Sequence, residues 1–239
     1  MTLLLLGCAG QWAVEVQEVS LHLETDDGCS VDFDQALVVL GGATLGEQPA
    51  GDSFSALNLA IPGSHALAPG LAEPTSYGQV SLTLARHGAP DRVDEGAEAL
   101  ADQGASVIVA GEVTCSRPVA FELEFFADTR TVCELEQPYE PDPAQPLAAQ
   151  VELARLFSDS LIDGEGRARA QPWEDADADA DGLLTTTELE TVDLAPRGYT
   201  VGSYSEATDL LDHVRAASGL LVTVPGAECT ARCLVEDPC

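Results

Sequence analysis

Apolar residues recur at every second position through much of the first half of the chain. Val14, Val16, Val19, Leu21 and Leu23 come close to alternation and end at Asp26-Asp27-Gly28. Val31 and Phe33 alternate again, and residues 37–40 then form a continuous apolar run that Gly41-Gly42 ends. Val80, Leu82 and Leu84 follow Tyr77-Gly78. Val107, Val109, Gly111 and Val113 lead to Cys115, and Phe121, Leu123 and Phe125 follow Arg117-Pro118. A period of two lines one face of a strand with apolar side chains. Short runs of this kind, punctuated by turn residues and without helical periodicity between them, predict a mainly β protein with an antiparallel β-sandwich over residues 9–137. Residues 94–103 are rich in Ala and Glu and predict a helical turn or an exposed loop.

The pattern changes after residue 137. Pro138, Pro141, Pro143 and Pro146 crowd one short stretch. Proline lacks a backbone donor and biases its predecessor away from helix, so residues 138–146 read as a linker or an extended crossover and mark a candidate boundary. Residues 147–239 form a small, α-rich C-terminal region. There Val151, Leu153, Leu156 and Phe157 suggest a strand passing into a short helix. Ala207, Leu210, Leu211 and Val214 recur at helical spacing within residues 205–217, where Ser203 or Ser205 could cap the start.

Charge narrows the function classes. Forty-one acids face ten bases among 239 residues, a net charge of −31, and every base is an arginine. Such a surface repels nucleic acid and anionic headgroups, so nucleic-acid binding is excluded. Dense acids attract divalent cations only diffusely; a specific metal site has to come from spacing.

The N-terminus reads Met1-Thr-Leu-Leu-Leu-Leu-Gly7-Cys8. It resembles the end of a bacterial lipoprotein signal peptide, in which an apolar run and a small residue precede a cysteine that is lipidated. That resemblance implies a signal remnant over residues 1–8, lipidation at Cys8, and an exported, envelope-located protein held at a membrane through its lipid anchor alone. The segment lacks the basic region and full apolar stretch of a signal peptide, as a start codon assigned too far downstream would produce. Setting Cys8 aside leaves Cys29, Cys115, Cys133, Cys229, Cys233 and Cys239, enough for three disulfides in an oxidising compartment. Connectivity is not readable; Cys115 with Cys133, flanking an apparent hairpin, is the favoured pair. A zinc site is disfavoured, because the spacing of Cys229, Cys233 and Cys239 has no matching histidine or second pair.

One stretch specifies chemistry. The sequence Asp177-Ala-Asp179-Ala-Asp181-Gly182-Leu-Leu-Thr185-Thr-Thr-Glu188 resembles an EF-hand calcium loop of the calmodulin-like kind. Oxygens stand at the first, third and fifth positions, glycine at the sixth and glutamate at the twelfth. The resemblance implies a Ca²⁺ site in which Asp177, Asp179 and Asp181 contribute carboxylates and Leu183 its backbone carbonyl. Thr185 would hold a bridging water, and Glu188 would close the shell with two oxygens. Gly182 permits a turn that a Cβ would hinder. The flanking helices are short: Pro172 leaves room for little more than one turn before Asp177, and Pro196 stops the following helix. No second loop is evident, so the ion is expected to brace the fold. Trp173 is expected to pack against Leu189 or the sandwich.

No catalytic constellation stands out, and His213, near Asp209 and Asp212 in the expected helix, is read as a capped, solvated histidine in preference to a base. The leading expectation is a non-enzymatic calcium-binding lipoprotein whose sandwich displays loops to a protein or glycan partner of unknown identity. A calcium-supported hydrolase with a carboxylate-based site is the alternative.

Overall fold

The computed structural model describes residues 10–49, 53–67, 70–73, 75–86, 89–142, 144–162 and 166–234. Its strands are Gly10–Trp12 (β1), Val14–Val16 (β2), His22–Glu24 (β3), Ser30–Leu45 (β4), Gln48–Pro49 (β5), Phe54–Asn58 (β6), His65–Ala66 (β7), Gly70–Ala72 (β8), Tyr77–Leu84 (β9) and Arg92–Val93 (β10). They continue with Val107–Thr114 (β11), Pro118–Phe125 (β12), Thr129–Tyr139 (β13), Leu147–Val151 (β14), Leu183–Leu184 (β15), Val222–Thr223 (β16) and Ala227–Cys233 (β17). The helices are Glu98–Gln103 (α1), Gln171–Ala176 (α2), Thr186–Leu189 (α3) and Leu210–Ser218 (α4), with a 3-10 turn over Leu153–Phe157. The protein is mainly β and sandwich-like, with its few helices concentrated toward the C-terminus.

The main sheet runs in the order β15-β12-β11-β4-β9-β13-β17. A smaller sheet, β16-β14-β2-β7, supplies a second layer. Strand β4 organises the fold. Its first half, Ser30 to Val38, pairs with β11, and Leu40 to Leu45 pair with β9 across a register shift after Gly41. Gly41 is required there, since a Cβ would stand 2.2 Å from the Ser53 carbonyl oxygen. The continuous apolar run at residues 37–40 also has its explanation. Val38 and Leu40 face the main core, while Leu37 and Val39 face a second cluster with Leu100 and Ile108. Both faces of the strand are buried, because α1 covers the outer one. Residues 94–103 therefore hold a helix with a packing role.

Two expectations need correction, and the open choice at residues 138–146 resolves. The strand pairings are not all antiparallel: β14 runs parallel to β2, β15 to β12 and β10 to β6. Residues 138–146 serve as a crossover between sheets, since β13 extends to Tyr139 and β14 begins at Leu147. Segments on both sides of that crossover share one hydrophobic cluster, from Trp12 to Val224. Helix α4 starts at Leu210, later than the apolar spacing indicates, and its N-cap is Asp209, whose side chain accepts the Asp212 N–H at 2.9 Å; neither Ser203 nor Ser205 caps it. Strand β17 escaped detection altogether, because the alternation in Ala-Glu-Cys-Thr-Ala-Arg-Cys rests on small Ala and Cys residues and none of the strand is fully buried.

The expected bond between Cys115 and Cys133 does not form. Cys115 joins Cys29, and Cys133 joins Cys229. The order of strands gives the reason. Cys115 follows β11, whose Thr114 faces Ser30 of β4, while Cys133 lies directly opposite Cys229 in the β13–β17 pair. Strands β12 and β13 are consecutive in the chain but lie in different parts of the sheet, separated by β11, β4 and β9. Cys233 is also disulfide-bonded; Cys8 and Cys239 lie outside the described residues. Such bonds persist in an oxidising, exported environment. No helix among the described residues is long and apolar enough to cross a membrane.

Candidate metal centre

The candidate loop hangs from α2, which is gripped at both ends. At its start the Asp27 carboxylate accepts the N–H groups of Ala170 (3.2 Å) and Gln171 (2.9 Å). These are the donors that a helix start leaves unsatisfied. Burial opposes ionisation of Asp27, but these bonds and one from the Thr25 hydroxyl hold its pKa below the ordinary value. Within the helix, Trp173 is fully buried. Its ring stacks on Phe157 at 4.3 Å between centroids and meets Phe121 edge-on at 5.4 Å.

Glu174 ties the helix to the tip of the β11–β12 hairpin. Its carboxylate accepts the N–H groups of Cys115 (3.1 Å), Ser116 (2.8 Å) and Arg117 (3.2 Å), and also the Ser116 hydroxyl. Burial pushes the Glu174 pKa upward, yet the bonds from Ser116, Arg117 and Cys115 outweigh it and the net shift is downward. A carboxyl held below its ordinary value of 4.5 stabilises the fold above that pH, and the contribution is lost as pH falls toward the folded-state value. The difference in melting temperature between the parent and Glu174→Gln should therefore be largest near neutral pH and shrink below about pH 4.5. Thermal melts of both proteins from pH 7 down to pH 3 measure it. A gap that does not change with pH would mean that the clamp does not need the ionised carboxylate.

Asp177 ends α2 and opens the loop. The backbone curls through positive φ at Ala180 (60°) and Gly182 (82°). The Gly182 N–H donates to Asp177 Oδ2 at 3.0 Å. Arg117 reaches the same oxygen and also donates to the Asp177 carbonyl at 3.0 Å. The bond from Arg117 holds the Asp177 carboxyl below the ordinary aspartate range, against the opposing effect of burial. The other oxygen, Oδ1, is buried and has no hydrogen-bond partner among the described residues.

Carboxylate oxygens of Asp177, Asp179 and Glu188 lie within 4.8 Å of one another, the one such cluster among the described residues. Asp181 is not part of it; its Oδ1 accepts the Leu183 N–H at 2.8 Å. Leu183 pairs in register with Ala120 and its side chain is half exposed. Thr185 caps α3, and its N–H and hydroxyl donate to Glu188 Oε2 at 2.9 and 2.8 Å. One Glu188 oxygen is thus engaged in a capping box, and the shell read from sequence is assembled here only at Asp177, Asp179 and Glu188. Asp175 stands outside the cluster, bound to Arg197 at 2.8 Å.

The cluster is one that could hold a cation. Like charges about 5 Å apart repel by roughly 3 kcal/mol at an effective dielectric constant of about 20. Arg117 relieves Asp177 alone. The available donors are all oxygen, the set that calcium or magnesium takes in preference to zinc. Asp177 thus brings a buried, unpartnered oxygen to a group of three carboxylates, a donor set that fits such an ion.

Reasoning from sequence missed Arg117 and Asp27, which lie in turns far from the loop in the chain, and Glu174, which lies in α2 three residues before Asp177. It also misjudged His213, which is fully buried with Nε2 2.8 Å from the Ser158 carbonyl oxygen. Burial lowers its pKa, a neutral and structural setting. Comparison of the chain with protein-family models, with curated proteins and with solved structures gave no match.

Proposed function

We propose that the chain is an exported, calcium-braced β-sandwich module whose single EF-hand-like loop docks on the sheet edge, and that it is tethered by lipid at Cys8. The observation that carries the calcium reading is Asp177, whose carboxylate is grouped with those of Asp179 and Glu188 and whose Oδ1 is buried and unpartnered among the described residues. The bracing role is supported by the short flanking helices, six residues in α2 and four in α3. A sensor hand opens full helices to expose an apolar groove; here Trp173 is locked inside, and β15 is paired to β12. Asp177, Asp179 and Glu188 would hold the ion, which would supply charge neutralisation and cross-link the two ends of the loop.

Binding to the folded state alone stabilises by about 2.7 kcal/mol when calcium stands at about 100 times its Kd. Calorimetric titration tests the assignment. Glu188→Gln should weaken calcium binding at least tenfold, whereas Asp175→Asn, outside the cluster, should leave it within about twofold of the parent. Equal losses would mean that the acidic run binds diffusely, and the site assignment would fall. Chelation should lower the melting temperature without altering hydrophobic-dye binding. The tether is decided separately: intact-mass analysis of protein made with its full leader should find acyl chains on Cys8, and an unmodified cysteine there excludes it.

A further inference from the structure

The main sheet is left open at one edge, beside the candidate metal loop. Strand β15 covers the outer side of β12 only at Ala120 and Phe121. Beyond Phe121 no other strand pairs with that side among the described residues. The direction of the backbone groups follows from two hydrogen bonds. Ala120 N–H donates outward to the Gly182 carbonyl at 2.9 Å, and the Phe125 carbonyl accepts inward from Ser106 at 2.9 Å. In an antiparallel pair, alternate residues present both backbone groups to the same side. Glu122 and Glu124 therefore each turn an N–H and a C=O toward the open edge.

The surroundings form a groove rather than a bare rim. A cavity of about 650 Å³ follows this stretch, lined by Glu122, Glu124, Phe126, Thr186 and Arg215 among others. Phe126 is 50% exposed and so is Leu183 on β15. Arg215 is the one base in the lining, and Asp212 stands 3.4 Å from it. The existing β15 shows what this edge accepts. Its Leu183, opposite exposed Ala120, points outward, and its Leu184, opposite buried Phe121, points into the core. Continuing the same alternation, an added strand would place one residue type beside the exposed carboxylates of Glu122 and Glu124. The other type would lie toward buried Leu123 and Phe125.

We infer that the Glu122–Phe126 edge of β12 binds an extended protein segment of alternating basic and apolar residues as an added strand. Main-chain hydrogen bonds would supply the attachment and the side-chain alternation the selectivity. A second copy of this chain is the disfavoured occupant, since each copy carries a net charge of −31 and the two edges would repel. A basic segment is instead drawn to the groove by that same field. The open stretch spans about five residues, roughly 17 Å at about 3.4 Å per residue, so a short segment suffices. The inference stands on the strand edge and does not require the loop to hold calcium.

The experiment uses the full chain and a capped peptide of alternating arginine and valine, about six residues long. Its partner probe has the same side chains but an N-methylated backbone, which keeps the charge and removes the N–H donors. Isothermal titration at physiological ionic strength should show binding of the first peptide and a loss of about tenfold or more for the second. Combining Glu122→Gln with Glu124→Gln should weaken binding of the first peptide by about tenfold or more while leaving the melting temperature unchanged. Equal binding of the two peptides would reduce the effect to diffuse attraction toward an acidic protein and overturn the inference. So would absence of binding at millimolar peptide, full binding by the doubly substituted protein, or a dimer of the parent that occupies the edge.

Discussion

Replacing Trp173 by alanine should destabilise the protein by about 3–5 kcal/mol, the range for deleting a large buried aromatic. The ring is fully buried and stacked on Phe157, with Phe121 against its edge. It joins three separate segments: α2, the 3-10 turn and β12. These neighbours are themselves packed ring on ring, Phe33 with Phe121 and Phe157, so they cannot collapse far into the space vacated. Trp173→Phe gives the control. The indole Nε1 has no acceptor among the described residues, so the phenyl ring forfeits volume but no hydrogen bond, and should cost less than about 2 kcal/mol. Denaturant unfolding of the two variants measures the difference. A loss below about 1 kcal/mol for the alanine variant would show that α2 is held by its polar clamps and not by the ring.

Removing the Cys29–Cys115 bond by the double substitution Cys29→Ala, Cys115→Ala should cost about 4–5 kcal/mol. The bond closes a sequence separation of 86 residues, and the chain-entropy account of disulfides gives about 4.6 kcal/mol for such a loop. Its local effect should be larger than that of the other bond. Cys29 directly follows the turn that carries Asp27, and Cys115 opens the turn that carries Arg117. One turn holds the start of α2; the other holds Glu174 and Asp177. The disulfide therefore joins the two tips that position the candidate loop. Removing Cys133–Cys229, with a separation of 96, should lower stability by a similar amount. It should leave calcium affinity unchanged, because that bond lies within the β13–β17 pair. Calcium titration of both variants decides this. Equal effects on affinity would mean that the Cys29–Cys115 bond acts through global stability alone.

Where reasoning from sequence succeeded, the signal was local. Alternation at Val107–Val113 and Phe121–Phe125 marked strands because one face of each is continuously buried, with the other face exposed in β12 and partly so in β11. The spacing of acids around Gly182 marked a tight loop because one short turn carries nearly all of its own constraints. Where it failed, the deciding partner lay far along the chain or two local signals competed. The start of α4 depended on Asp209, a cap within reach of the reading, but Ser203 and Ser205 offered the same chemistry earlier in the chain. Strand β17 alternates only small Ala and Cys residues with Glu, Thr and Arg and buries neither face fully, so its pairing with β13 makes it a strand.

What this sequence determined by itself is a β-rich fold, an oxidising compartment and a loop whose donors are all oxygen. These follow from periodicity, cysteine number and side-chain chemistry, none of which needs a contact partner to be read. The tertiary structure alone decided which cysteines meet, that both faces of β4 are covered, and how the loop is held. Arg117 lies 60 residues from Asp177 and Asp27 lies 144 from Gln171. No period or spacing rule spans such distances; they are set by the order in which strands assemble. That order also turned three carboxylates together and left one oxygen of Asp177 without a partner, which is the feature on which the calcium proposal rests.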